Sequence, residues 1–124
     1  MSKYAQTLSG INKAGKNPTF QFVYYFWYMN KQRVIETLKN EKPFLQQQFG
    51  VEEIALFGSY ARDEAKPGSD VDILIKMNDK SLRGFIGVIE YLQDKLQLKI
   101  DIVLKTKFLS KQFSSLIAKD LIYV

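Results

Sequence analysis

The chain has 124 residues, of which 46% are hydrophobic and 25% charged, a composition typical of one globular domain. It contains no Cys and no His, which excludes disulfides, thiol nucleophiles, Cys/His zinc sites and any catalytic triad that needs an imidazole. The formal net charge is +5, but residues 1–28 contain only basic charges, so residues 29–124 are nearly balanced. No Lys/Arg run alternates with stacking aromatics, and we therefore expect no direct nucleic-acid binding.

Residues 1–28 differ in composition from the rest of the chain. They are rich in Ser, Gly, Asn and Lys and end in an aromatic string that begins at Phe20. Two interpretations are open: an extension outside the core, or an added strand or apolar plug that covers the domain. We favour the extension and place the domain at residues 29–124. The aromatic string is too short for the roughly 20 residues of a membrane span, and no signal-peptide pattern precedes it, so we expect a cytoplasmic protein without a membrane contact.

Helices and strands alternate from Asn30 onward. Asn30 is a good N-cap for a helix over 31–39, and Pro43 suits the first turn of a second short helix over 42–48 that ends at Gly50. The remaining pattern predicts strands over 51–57, 70–77 and 99–105, with helices over 58–66, from Ser81 to Leu96 and from Leu109 to Leu121. Three strands and about four helices predict an α/β (α+β) domain with a small sheet flanked by helices.

Two of the predicted strands contain acidic residues among apolar ones. Asp70 and Asp72 share one face of their strand because side chains alternate, whereas Val71 and Ile73 share the other. Asp101 interrupts the apolar pattern of the next strand in the same way. Neighbouring carboxylates repel each other unless a cation lies between them, and oxygen ligands suit Mg²⁺. The alternative is a set of solvated surface carboxylates.

The turn after the first strand is suited to binding an anion, whereas the carboxylates are suited to a cation. Gly58 and Ser59 stand where a strand leads into a helix, and a helix N-terminus presents free N–H groups and the positive end of its dipole. A glycine allows a phosphate to approach the backbone closely, and the Ser59 hydroxyl adds a donor. Taken alone, the same pair is also what an ordinary glycine turn with a serine N-cap would contain.

The combination of these motifs is more specific than each motif alone. The string Gly-Ser-Tyr-Ala-Arg from Gly58 to Arg62 is followed by Asp70-Val71-Asp72, with ten residues between Ser59 and Asp70. This spacing resembles the signature of the DNA polymerase beta-like nucleotidyltransferase superfamily, and most closely its minimal nucleotidyltransferase (MNT) branch. Asp101 falls where the third carboxylate of that family is expected. The resemblance covers residues 30–124.

The resemblance implies a fold and a set of site residues. The fold would be a small mixed sheet flanked by helices. Gly58 and Ser59 would bind the phosphates of a nucleoside triphosphate, while Asp70, Asp72 and Asp101 would bind two Mg²⁺ ions, with Mn²⁺ as a substitute, and so form the catalytic set. Arg62 either contacts a phosphate or pairs with the acidic residues that follow it.

The resemblance also implies a function. Members of this branch are often antitoxins encoded beside a HEPN toxin, and some transfer AMP from ATP to a tyrosine of that toxin. We therefore predict an Mg²⁺-dependent nucleotidyltransferase that acts on a hydroxyl of a HEPN-type partner. The alternative is a non-catalytic, nucleotide-binding antitoxin or regulatory subunit. Transfer to a small molecule is a third reading, which the short chain disfavours because it has little room for a second substrate wall.

Overall fold

The computed structural model of the chain describes residues 24–78 and 81–124, which form a four-stranded sheet with helices on both faces. A helical segment over 24–28 precedes the other elements. No helix in this described part of the chain has the length and the hydropathy needed to span a bilayer. In chain order the elements are α1 (Lys31–Phe49), β1 (Val51–Phe57), α2 (Gly58–Ala61), β2 (Val71–Met77), α3 (Leu82–Leu96), β3 (Ile100–Leu104), α4 (Lys111–Ile117) and β4 (Ile122–Tyr123).

The sheet has the strand order β3-β2-β1-β4 and is mixed. β2 runs parallel to β3, whereas β1 is antiparallel to both β2 and β4. The three predicted strands are present, and the predicted mixed α/β architecture is confirmed. The prediction of three strands was one too few, because β4 comprises only Ile122 and Tyr123 and is too short to show an alternating pattern.

Helix α1 is continuous through Pro43, where the sequence predicted two short helices. Asn30 caps its start as predicted, since its side-chain oxygen accepts a hydrogen bond of 3.0 Å from the Arg33 N–H. A proline inside a helix costs about 3 kcal/mol, because it removes a hydrogen bond and crowds the preceding turn. The helix continues because it buries Leu38 before the proline and Leu45 after it, both completely. Gly50 ends the helix in a left-handed conformation with a φ of 68°.

The two faces of the sheet pack against two different apolar clusters. On one face, Val71, Ile73 and Ile75 of β2 belong to the main core, which α1 and α3 cover. On the other face, Leu74 packs with Ile117 of α4 in a smaller cluster. The alternation predicted for β2 therefore places Val71, Ile73 and Ile75 on the face opposite to Asp72, which shares its face with Leu74.

The helical segment over 24–28 contributes to the main core. Tyr25 is only 6% exposed and is part of the main cluster, and its hydroxyl donates a hydrogen bond to the carbonyl of Leu96 at the end of α3. The expectation that residues 1–28 lie outside the core was therefore wrong for Tyr25, since an aromatic ring of this size gains more by burial than by exposure. Residues 1–23, on which the rest of that prediction falls, lie outside the described residues.

Candidate active site

The parallel pairing of β2 with β3 places two of the predicted carboxylates side by side. Asp72 and Asp101 are register partners, and Asp72 is also the partner of Phe57 at the end of β1. Both aspartates lie on the sheet face of the smaller cluster, because Ile73 and Ile100 face the main core. Asp70 comes just before β2 begins. The three carboxylates thus stand at one end of one sheet face.

The charges of these residues act on one another. Partial burial raises the pKa of the Asp72 carboxyl, and the negative charges of Asp101 and Asp70 raise it further, while the positive charge of Arg62 opposes the change. A raised pKa means that the ionised form of Asp72 is held at a cost in the folded protein. A cation at this end of the sheet would relieve that cost.

Gly58 brings the turn after β1 against the Asp72 carboxylate. Its φ is 75°, a conformation that other residues rarely adopt. A Cβ atom added there would overlap the Asp72 carboxylate and lie 2.9 Å from its Cγ. Both the backbone conformation and the lack of space therefore require glycine. The turn predicted to hold phosphates consequently lies directly beside the carboxylates predicted to hold a cation.

Helix α2, which follows this turn, is shorter than predicted. It was expected to continue to residue 66 but ends at Ala61. Arg62 caps it, and Asp63 then takes a left-handed conformation with a φ of 58°, which interrupts the helical path. Tyr60, which had no predicted role, is buried in the main core, and burial raises the pKa of its hydroxyl.

Arg62 forms two ion pairs at the edge of this site. Its Nε lies 2.9 Å from Oε2 of Glu64, and its Nη1 lies 2.8 Å from Oδ2 of Asp120. Of the two alternatives weighed for Arg62, the structure shows the pairing with an acidic residue nearby in sequence. Sequence reasoning missed Asp120, because it lies 58 positions away and no local pattern links the two residues. These ion pairs connect the end of α2 to the chain after α4.

The donor atoms of this site are of a kind that binds a metal ion, but the side chains do not form a complete binding site by themselves. Among residues 24–78 and 81–124, no three acidic, His or Cys side chains converge closely enough to hold a metal ion by themselves. The donors are nevertheless of the right kind, because Asp70, Asp72 and Asp101 offer only oxygen, and Mg²⁺ usually combines one or two carboxylates with water and substrate phosphates. The three aspartates would hold the ion together with a bound nucleotide.

Comparison with known proteins identifies the family. The nucleotidyltransferase domain family matches residues 35–124. The protein adenylyltransferase MntA of Thermococcus cleftensis is 39% identical over 94 residues, which is 75% of this chain and 94% of that protein. The protein MJ1217 of Methanocaldococcus jannaschii, whose name also contains the words protein adenylyltransferase, is 40% identical over 90 residues, 72% of this chain and 92% of it. The chain therefore belongs to the nucleotidyltransferase domain family, as the motifs had indicated.

Solved structures show the same fold. A structure described as a minimal nucleotidyltransferase superimposes with a TM-score of 0.59 at 24% identity, covering 76% of this chain and 95% of the other. A chain in the crystal structure of a toxin–antitoxin with AMP-PNP gives a TM-score of 0.54 at 21% identity, covering 77% of this chain and 72% of the other. The toxin–antitoxin MntA-HpeT gives the same score at 19% identity. The predicted nucleotidyltransferase fold is thereby confirmed.

Proposed function

We propose that the chain is an Mg²⁺-dependent protein adenylyltransferase that transfers AMP from ATP to a hydroxyl of a protein partner. The observation that carries the proposal is the contact between the Gly58 turn and Asp72, which is itself paired with Asp101. This contact joins an element suited to phosphate with a pair of carboxylates suited to a divalent cation. The nucleotidyltransferase family to which the chain belongs supports the same chemistry.

The proposed reaction is a displacement at the α-phosphorus of ATP. The oxygen of the acceptor hydroxyl forms a bond to this phosphorus, the bond to the bridging oxygen of the β-phosphate breaks, and pyrophosphate leaves. The proton of the hydroxyl passes to a nearby base or to water. Bound Mg²⁺ would supply charge neutralisation for the phosphates and for the attacking oxygen. The acceptor is a separate reactant that must be held in line with the leaving group.

The residues of the chain divide this work between two sides of the site. Gly58 leaves its backbone open to the β- and γ-phosphates, and Ser59 offers a hydroxyl and an N–H to them. Asp70, Asp72 and Asp101 would hold Mg²⁺ against the nucleotide. Asp101 is exposed, and in this proposal it would also help to activate the acceptor hydroxyl. Arg62 adds positive charge near Asp72 and thereby favours its ionised form.

The proposed acceptor is a tyrosine of a HEPN-type toxin, and the chain is its antitoxin. The name of the MntA relative, a protein adenylyltransferase, supports transfer to a protein. The toxin–antitoxin structures that share the fold support a partner of this kind. A protein-borne tyrosine suits the chemistry, because its hydroxyl has a pKa near 10 and a neighbouring cation would lower it. The cytoplasmic location and the lack of nucleic-acid binding stay predictions from the sequence.

Intact mass spectrometry of the partner tests this proposal. The full chain is incubated with the product of the neighbouring gene, ATP and Mg²⁺, and we expect additions of about 329 Da, the mass of an adenylyl group, on tyrosine. Asp72→Asn should abolish the additions, whereas the matched variant Asp94→Asn should not, because Asp94 lies on α3 and away from the site face.

Two results would contradict the proposal. Stable complex formation without any added mass would identify the chain as a binding antitoxin. Mass additions that persist with Asp72→Asn would show that the catalytic site lies elsewhere. Omission of the divalent ion, with EDTA present, should remove the additions as completely as Asp72→Asn does.

A further inference from the structure

A wide groove lies between the end of α1 and the beginning of α3, on the sheet face opposite to the carboxylates. Its volume is about 730 Å³, and Phe49, Ile86 and Gly87 are among the residues that line it. Gly87 lets the two helices approach closely, because a Cβ atom at this position would lie 2.5 Å from Cε1 of Phe49. The groove is therefore formed by the close packing of these two helices.

The rim of this groove exposes apolar side chains. Leu82 is 72% exposed and Ile86 is 43% exposed, although both stand on a helix whose opposite face is completely buried. Phe44 of α1, at 39%, adds to the same surface through its stack on Tyr91 of α3. Contiguous apolar surface that is rimmed by polar residues is typical of protein contact surfaces.

Two opposite charges flank Ile86 on the outer side of α3. Arg83 and Glu90 are both exposed and line the groove, and neither has an ion-pair partner among the residues that the structure describes. They lie seven residues apart, which is two turns or about 10.5 Å along the helix. Because Ile86 lies near their midpoint, an antiparallel copy of the same helix would place each arginine opposite a glutamate.

We propose that this surface binds a second copy of the chain. The two α3 helices would pack antiparallel about a two-fold axis beside Ile86, with Arg83 of each copy facing Glu90 of the other. Such an isologous contact requires a surface that is complementary to itself, and the charges of α3 meet this condition. The apolar residues Leu82 and Ile86 would provide most of the affinity, and the two ion pairs would fix the orientation.

The proposed dimer leaves both candidate active sites accessible. Asp72 and Asp101 lie on the sheet face of the smaller cluster, whereas α3 packs on the main core at the other face. The two sites of the dimer would therefore face away from the shared helices. A partner could bind each site without displacing the second copy.

Sedimentation equilibrium of the full chain over a range of concentrations tests the proposal. We expect a monomer–dimer equilibrium in the wild type. Arg83→Glu and Glu90→Arg should each weaken the dimer about tenfold or more, because each change creates two repulsive pairs across the symmetric contact. The double variant R83E/E90R should restore the dimer, and Ile86→Glu should abolish it.

Control variants separate a specific contact from a general effect of charge. Lys119→Glu and Leu116→Glu make comparable changes after and within α4, so both should leave the dimer intact. Circular dichroism of each variant confirms that it is folded. A wild type that is monomeric at every concentration would overturn the proposal, as would a dimer that tolerates Ile86→Glu or one that R83E/E90R fails to restore.

Discussion

Gly58 and Asp72 belong to different strands and lie in contact where the end of β1 meets the beginning of β2. The space next to the Gly58 Cα is filled by the Asp72 carboxylate. The position of one residue therefore depends on the size of the other. A change at either one should alter both the stability of the fold and the proposed nucleotide site.

Gly58→Ala should destabilise the protein and impair ATP binding. A left-handed conformation at a non-glycine residue costs about 1–3 kcal/mol, and the overlap with Asp72 adds to this cost. Gly68→Ala is the matched control, because Gly68 has a φ of 90° but nothing lies within 4 Å of its added Cβ. Urea denaturation should show a larger loss for Gly58→Ala than for Gly68→Ala. Equal losses would contradict the role given to the Asp72 contact.

Asp72→Asn should stabilise the protein at neutral pH in the absence of divalent ions. The raised pKa of Asp72 means that the folded state binds its proton more tightly than the unfolded state does, so its ionisation lowers the free energy of unfolding. The gain in Asn should therefore be fully present at pH 7, shrink as the pH falls through the raised pKa of Asp72 in the folded protein, and be absent below the ordinary pKa of Asp. Thermal melts should show a rise in Tm of about 1–4 °C at pH 7.

Asp94→Asn provides the comparison for this melt, since Asp94 lies outside the carboxylate cluster. A fall in Tm for Asp72→Asn at pH 7, with Asp94→Asn unchanged, would show that the Asp72 carboxylate is stabilising as it stands. The repulsion among the three aspartates would then be too weak to favour a cation.

At the scale of elements, the helical segment over 24–28 is held by Tyr25, which fills a place in the main core. Tyr25→Ala should lower the free energy of unfolding by about 3–5 kcal/mol through the cavity that it leaves. Tyr25→Phe should cost only about 1 kcal/mol, the value of the lost hydrogen bond to Leu96. Tyr24→Ala is the control, because Tyr24 is 40% exposed. If urea denaturation shows the same loss in free energy of unfolding for Tyr25→Ala and Tyr24→Ala, the segment is an extension that does not stabilise the core.

The sequence predicted the elements that carry a regular pattern. The strands over 51–57, 70–77 and 99–105 agree with β1, β2 and β3 to within one residue at each end. The alternation also placed Asp72 and Asp101 on the face of their own strands opposite to Ile73 and Ile100, but their common face depends on the pairing of β2 with β3. The strand positions and the face of each aspartate on its own strand follow from local periodicity, which a single sequence contains in full.

The features that sequence reasoning missed depend on distant contacts. Pro43 argued for a break, yet burial of residues on both sides of it keeps α1 continuous. Tyr25 and Asp120 acquire their partners from elements far along the chain, at Leu96 and Arg62. No local pattern carries information of this kind. Such contacts become visible only when the elements have been assembled.

At the scale of the whole molecule, the last residues connect the sheet to α1. The Val124 N–H donates to the carbonyl of Ile54, and Lys42 Nζ donates to the Val124 carbonyl at 2.7 Å. Ile122 and Val124 also pack against the main core. These contacts therefore hold the edge strand β4 in place at the edge of the sheet opposite to β3.

Deletion of residues 122–124 should destabilise the whole domain. It removes the pairing of β4 with β1 and the apolar contacts of two half-buried side chains, and we expect a loss of about 2–4 kcal/mol. Tyr123→Ala is the control, because this side chain is 49% exposed. Thermal and urea melts compare the two variants. A deletion that melts with the wild type would show that β4 only covers an edge.

The hydrogen bond between the Tyr25 hydroxyl and the Leu96 carbonyl has a consequence for the order in which the elements fold during synthesis. The two residues are 71 positions apart, and at 5–20 residues per second the ribosome needs about 4–14 s to produce the second after the first. During this interval the Tyr25 ring lacks part of the core surface against which it packs in the folded protein. The Tyr25 ring can therefore reach its buried place only after α3 is complete, so it joins the fold late and stays exposed in the nascent chain until then.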